Sequence, residues 1–487
     1  MAEATNREGG SNGWMLPSKH LLQRGVQDLP EPQPLRKYIG ASVILLATAL
    51  GSGELILWPF ITAQVGIGLL WLAFIGFTMQ FFLNMEIERY TLVTGETAVT
   101  GFSRLWYPWG ILFVIAAIVT NFWPSWVTSG ATLFEFIFNL QGVVVPVAII
   151  QLVAIGLTLT LSPVVFQAVE KIQFVMVGII VLFLIVAIII ATEASSWGSI
   201  FAKAPGGVAN FPQYMADLGG ALILGAIAFA GAGGANNLVQ SNYARDKGLG
   251  MGGRILNIVS PVTGEEEAVP SLGYTFETDE ENMRRWSGWW KVANQEQLIV
   301  FYAIGLAVLI GMSVLVNSTV GIMEGAPEGE LAFINEEGEA LKNIVAPWFG
   351  TFFYVAGFIN LFSTNLGVMD WVSRLSADSL KVTFLRDSEF WSESKIYAAI
   401  VWLIAIVGSV ILLSGVDQPI VLLVISAAGG GVIMAFYSVL LIVLNRRVLP
   451  EPIRLRGWRL PIVYIIAIFF IAFSVYLVLD QAGLVGG

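Results

Sequence analysis

Long apolar runs almost free of charge dominate the chain, near residues 39–64, 67–87, 107–137, 144–163, 165–192, 218–243, 296–319, 346–370, 396–415, 419–445 and 459–480. About 20 apolar residues of helix cross a bilayer core. In lipid every backbone N–H and C=O must be paired inside the protein, so only helices and closed barrels can span it. Barrel strands alternate apolar and polar residues over about ten positions, and these runs do not. The expectation is an all-α polytopic membrane protein with eleven transmembrane helices. Charged residues make up 12% of the chain, against roughly a quarter in soluble domains. That excludes a soluble enzyme and a disordered chain.

Basic residues favour the cytoplasmic side of a membrane. With the N-terminus inside, 23 of the 25 Lys and Arg fall on that side, and only Lys203 and Lys342 lie outside. Eleven crossings then put the C-terminus outside. The expected location is a plasma membrane, of the bacterial inner-membrane type. Residues 1–35 lack the apolar core of a cleavable leader and read as a loose cytoplasmic arm. Residues 36–445 form the core, with a cytoplasmic insert at 246–293 and an acidic outer loop at 321–345; residues 446–487 supply an inner loop and the eleventh helix. The outer loop carries Glu324, Glu328, Glu330, Glu336, Glu337 and Glu339. It is either a solvated loop or a weak cation-attracting vestibule. In the insert, Thr278–Glu281 fits a capping box, and Trp286, Trp289 and Trp290 follow at helical spacing. They predict an amphipathic helix lying on the inner membrane surface.

Absences narrow the chemistry. There is no cysteine, and the one histidine, His20, sits in the polar arm. No thiolate or imidazole can therefore act within the membrane. The net charge of −10 disfavours nucleic acid as a partner. With no nucleophile–base pair and no phosphate loop, neither an enzyme nor a resident cofactor is expected. The expected partners are the lipid bilayer and a small solute, with the chain acting as a monomer.

Two of the apolar runs are interrupted by glycine. The first carries Gly51-Ser52-Gly53-Glu54 followed by Pro59, and the sixth carries Gly231-Ala232-Gly233-Gly234-Ala235-Asn236-Asn237. Glycine inside a helix costs about 1 kcal/mol relative to alanine. The two runs are five apart, as an inverted five-plus-five repeat requires. Secondary transporters bind their substrates where such paired helices unwind near the midplane; tight glycine packing is the other reading. Glu54 is the one carboxylate near the middle of a run. A charge there needs water, a cation or a partner, so it is a candidate cation ligand. Asn236 and Asn237 would add amide oxygens or cap the freed backbone. Asn121, Asn360 and Asn365 lie at membrane depth without further distinction. Asp370, Glu86 and Glu88 fall near inner ends of runs, where interfacial charges or gate ion pairs are expected. Hard oxygen ligands suit Mg²⁺, Ca²⁺ or Mn²⁺.

From Ile39 to Leu105 the sequence resembles the Nramp family of divalent-metal transporters. Leu69-Leu70-Trp71 follows Glu54 at that family's spacing, and Val93-Thr94-Gly95 follows in turn. More weakly, Gly234-Ala235-Asn236-Asn237-Leu238 lines up with the family's sixth-span motif, and Ile425-Ser426-Ala427 with its tenth-span motif. The resemblance implies a LeuT-like fold, with a 5+5 inverted repeat, broken helices one and six and one extra helix. It implies a metal site around Gly51, Glu54 and Gly234, with carbonyls or a hydroxyl from Thr48 and Gly231. Thr48 could instead bond back to a carbonyl one turn earlier. The chain departs from the family in three ways. The family's metal-binding Asp is Gly51 here, and its Asn is Glu54. Its methionine is Gly234, and its tenth-span glutamine is Ala427. Its sixth-span histidine is Asn236, and its third-span acidic pair is Asn121 and Pro124. These changes imply a harder site and no proton relay of the usual kind. The expected activity is transport of a hard divalent cation, with the metal as substrate. The alternative is an amino acid or small organic cation carried by the same fold.

Overall fold

The computed structural model describes residues 14–162, 165–255, 271–323, 331–416 and 418–484. Glu324, Glu328 and Glu330 of the acidic loop and residues 256–270 of the insert lie outside these. Among the described residues, ten helices are long and apolar enough to cross a membrane. They are α1 (Ala41–Val65), α2 (Ile67–Thr94), α4 (Trp109–Phe138), α5 (Val144–Leu161), α6 (Val165–Ala191), α9 (Glu280–Thr319), α11 (Pro347–Val382), α12 (Glu393–Leu413), α13 (Pro419–Arg447) and α14 (Arg459–Asp480). Four shorter helices complete the set used below: α3 (Ala98–Leu105), α7 (Gly220–Ala228), α8 (Asn236–Asp246) and α10 (Ala332–Ile344). The run at 218–243 is not an eleventh long helix. It is α7 and α8, of 9 and 11 residues, and at 1.5 Å per residue neither spans about 30 Å alone.

Burial orders the bundle. The apolar stretch of α1 is wholly buried, whereas 28% of that of α14 and 33% of that of α6 are. Ile189 on α6 and Ile465 on α14 are among the large apolar side chains left on the outside. An exposed apolar belt of that kind is what a bilayer covers. The chain is an integral membrane protein whose innermost helix is α1.

Three expectations about the N-terminal arm and the insert are corrected. From residue 14 the arm is tied down. Its strand β1 (Gly25–Val26) pairs in parallel with β2 (Tyr274–Thr275) of the insert. Arg104 donates to the carbonyls of Pro17, Leu21 and Leu22 (2.7, 2.6 and 3.0 Å) while ion-pairing with buried Glu96. Composition alone misses this, because the anchoring donors come from distant segments. The helix of the insert exists, but it runs straight on into the seventh apolar run as α9. Its tryptophan face meets the arm rather than standing free: Trp289 is buried, packs on Tyr38 and donates to the Pro30 carbonyl at 2.7 Å. The cap is Asp279, not Thr278. The Asp279 carboxylate accepts from the Asn282 N–H at 2.8 Å, as a short acidic side chain at that position favours.

Candidate functional site

The sixth run is unwound where its glycines lie. Gly231, Gly233 and Gly234 have φ of 108°, 69° and 58°, a region that side chains other than glycine's rarely adopt. α7 stops at Ala228 and α8 starts at Asn236, leaving backbone groups that must find partners inside the membrane. Gln80 of α2 supplies them. Its Nε2 donates to the carbonyls of Ala228 and Ala230 (2.7 and 2.6 Å), and its Oε1 accepts from the Gly233 N–H (2.9 Å) and Asn237 Nδ2 (3.3 Å). Trp58 Nε1 of α1 donates to the Ala226 carbonyl at 2.9 Å.

The first run behaves differently from its expected break. α1 does not unwind; over Leu50–Leu57 its hydrogen bonds lengthen to i→i+5, a rare winding found mostly at functional sites. α11 holds the widened segment. Asn360 Nδ2 donates to the Leu50 carbonyl (3.0 Å) and Thr364 Oγ1 to the Ala47 carbonyl (3.1 Å), while the Gly51 N–H donates to Thr364 Oγ1 (3.0 Å). Glycine packing and altered winding are both present. A Cβ on Gly53 would overlap the Phe229 carbonyl, and one on Gly51 would overlap Thr364.

The two interruptions meet at a cavity of about 10 Å³, room for about one water molecule. Its polar wall is formed by Thr48, Ser52, Thr120, Asn121, Asn236 and Ser426, with Gly233, Gly234 and Gly430 contributing bare backbone. Asn236 Nδ2 donates to the Ala232 carbonyl at 3.3 Å, leaving its Oδ1 without a partner; Ser426 Oγ has none either. Thr48 is back-bonded, its hydroxyl shared between the carbonyls of Ile44 and Leu45 (both 2.8 Å).

Thr48, Ser52, Gly233, Gly234 and Asn236 are thus gathered on one wall. Gly51, Gly53, Gly231 and Asn237 sit in the surrounding packing, outside that wall. Glu54 also lies off it. The residue is fully buried, and neither of its carboxylate oxygens has a hydrogen-bond partner among the described residues. The Gly231 N–H faces it without closing a bond. Among the described residues no three of His, Cys, Asp and Glu come together as metal ligands. Any ion here would meet neutral oxygens and at most one carboxylate.

The reading from sequence missed Gln80 and Gly430. Gln80 was legible as a polar side chain deep in an apolar run. Gly430 lies in the conspicuous Gly429-Gly430-Gly431 run. A Cβ on Gly234 would stand 2.8 Å from the Gly430 Cα, so α13 touches the unwound segment backbone to backbone.

At the arm end of the bundle, buried ion pairs lock α8 to α11 and α12. Arg374 pairs with Asp370 (2.7 Å) and Asp246 (2.5 Å). Arg245 pairs with Asp246 (2.9 Å), Asp378 and Glu393 (3.5 Å). Tyr397 and Tyr243 donate to Asp370 at 2.7 and 3.0 Å. Asp370, expected at an interface or a gate, is at the centre of this network. Glu86 is likewise paired, with Arg89 at 2.7 Å.

Structures with this arrangement of helices are known. The Eremococcus coleocola manganese transporter, in complex with an aromatic bis-isothiourea substituted compound, superposes with a TM-score of 0.64 at 14% identity, over 95% of this chain and 90% of that one. A mutant of the same transporter gives 0.63 at 14% identity, over 92% and 87%. MhsT in complex with L-phenylalanine gives 0.53 at 14% identity, over 92% and 100%. The chain has their LeuT-like fold. It is the fold that the Nramp resemblance implies, and at such low identity the likeness speaks for the fold alone. No protein-family model and no curated protein matches the sequence. Within a LeuT-like fold, Gln80 and the Asn360–Thr364 pair act as braces that let two apolar helices depart from α-geometry.

Proposed function

We propose that the chain is a secondary transporter that carries a hard divalent cation, such as Mg²⁺ or Mn²⁺, by alternating access. The observation that supports this is the meeting of two interrupted helices, five runs apart in sequence, at one small oxygen-lined cavity. The unpaired carboxylate of Glu54 lies two residues along α1 from Ser52 of its wall. The cavity suits one ion better than an organic solute. Asn236, Asn121 and Pro124 stand where the Nramp proton relay would be and cannot titrate, so the movement is not proton-coupled by that route. In this reading α7 and α8 together make the eleventh crossing, the N-terminus is cytoplasmic and a monomer suffices.

One feature favours the second reading, an amino acid or small organic cation. The cavity wall itself carries no carboxylate, which suits a zwitterion. Uptake by the purified protein in liposomes separates the two. Mg²⁺ and Mn²⁺ are offered separately while internal pH is read, with Glu54→Ala beside the parent. Metal entry that is lost in the variant and brings no matching protons is expected. No entry of either metal by folded parent protein defeats the metal reading, and amino acids are offered next.

A further inference from the structure

Beyond the break, the face of α2 that carries Gln80 continues toward the arm end as Asn84, Glu88 and Thr91. Spacings of three and four residues share one side of a helix. This stripe faces α8 and the start of the seventh run within α9. Gln240 Nε2 and Gln297 Nε2 both donate to the same oxygen of Glu88, at 2.5 and 2.9 Å. Asn84 Nδ2 reaches Gln297 Oε1 at 3.5 Å. One hydrogen-bonded chain therefore holds Asn84, Gln297, Glu88 and Gln240 together.

All four side chains are buried. What remains unpartnered in the group is of one kind. Among the described residues Glu88 Oε2, Asn84 Oδ1 and Gln240 Oε1 have no donor, and the Thr91 hydroxyl further along the stripe has no partner. Acceptors are in excess, and the titratable group among them is a carboxyl. Glu88 has no salt bridge among the described residues: neighbouring Arg89 pairs with Glu86, and Lys247, which follows the end of α8, pairs with Glu170. The second acid nearby, Glu296, is already committed. It caps the start of α1, accepting from the N–H groups of Gly40 (3.5 Å) and Ser42 (2.9 Å) and from the Ser42 hydroxyl. That is where a helix favours a negative charge. An isolated buried carboxylate is costly unless a positive charge meets it. Neutral hard oxygens around one carboxylate match a single positive charge on a hard ion.

We propose that Glu88, Asn84 and Gln240 form a second ion site, separate from the cavity at the breaks, that takes one monovalent alkali cation. Bound there, the ion ties α8 to α2 on the arm side of the unwound segment. Its occupancy would bias the position of the half-helix that carries Asn236 and Asn237. That coupling rests on the transporter reading; binding itself does not.

The test is thermal unfolding of the full-length protein in detergent, titrated with NaCl and with KCl against choline chloride at constant ionic strength and pH. The parent is expected to gain a saturable rise in Tm with one alkali cation that choline does not give. Glu88→Gln should weaken the apparent affinity at least tenfold, and Gln240→Leu, which keeps the carboxylate, should weaken it by less. Glu54→Ala should leave the alkali-cation response in place while abolishing metal uptake, so the two readings fail separately. A parent whose Tm is indifferent to the identity of the cation overturns the site, as does an apparent affinity that Glu88→Gln leaves unchanged. Should Glu88→Gln not fold, Gln240→Leu decides: an unchanged affinity overturns the site.

Discussion

Replacing Gln80 by leucine removes the staple across the sixth-run break while keeping similar bulk. The side chain makes four hydrogen bonds, three of them to backbone groups that the unwinding sets free. Interhelical hydrogen bonds inside membrane proteins average about 0.6 kcal/mol, which gives a loss of roughly 2–3 kcal/mol. Orphaned buried groups can cost about 1–3 kcal/mol each, so that figure is a floor unless water enters. An unfolding entropy of about 2.1 cal/mol/K per residue makes this a fall in Tm of roughly 2–3 °C. Gln151→Leu is the control. It too is a buried glutamine of a transmembrane helix, but it makes one bond, to the Val127 carbonyl at 3.2 Å, so its cost should be about a quarter as large. Both variants are measured side by side by thermal unfolding in the same detergent. Equal shifts, or none for Gln80→Leu, would refute the view that this side chain stabilises the unwound segment.

Gly53→Ala should abolish folding or uptake, since its Cβ would meet the Phe229 carbonyl, whereas Gly178→Ala, with nothing within 4 Å, should be neutral or stabilising by up to about 1 kcal/mol; expression and Tm report both. Arg374→Ala takes the paired arginine from buried Asp370 and leaves Asp246 only Arg245; it should cost about 3–5 kcal/mol, read as a fall in Tm of roughly 3–5 °C. Because the chain has no cysteine, a thiol placed by Ser376→Cys, at a buried position of α11 two residues from Arg374, should also label faster in that variant than in the parent background. Glu337 on α10 is buried with an unpartnered oxygen, and burial holds its carboxyl well above the usual carboxylate range. Its contribution to stability is complete below the ordinary carboxylate value and is lost as pH rises through the elevated one. Hydrogen exchange over 332–344, corrected for intrinsic rates, should therefore slow toward acid pH in the parent and lose that dependence in Glu337→Gln.

Particular residues show where reading from sequence stops. The glycines of both runs mark real departures from α-helix. Yet only the sixth run unwinds, because Gln80 can reach its freed carbonyls; the first is held in a wide helix by Asn360 and Thr364 from a distant segment of the chain. Glu54 stands out in sequence as the mid-membrane charge. Its side-chain direction follows from that winding, so its place off the cavity wall was not legible. The insert's helix was legible from its tryptophans, but not the arm that covers them, because an aromatic stripe looks the same whether lipid or a peptide packs on it.

Hydropathy alone determined that the chain is a bundle of membrane helices, since an apolar run in lipid has no alternative but to bond to itself. Glycine positions marked two of the irregular runs, since the cost of glycine is local; the wide winding over Gln297–Ile304 of the seventh run contains no glycine and left no such mark. Only the tertiary structure decided how each irregularity is resolved and which oxygens are left without a donor. A freed backbone group or a buried carboxylate takes whatever partner a distant helix brings to it, and that partner is set by packing.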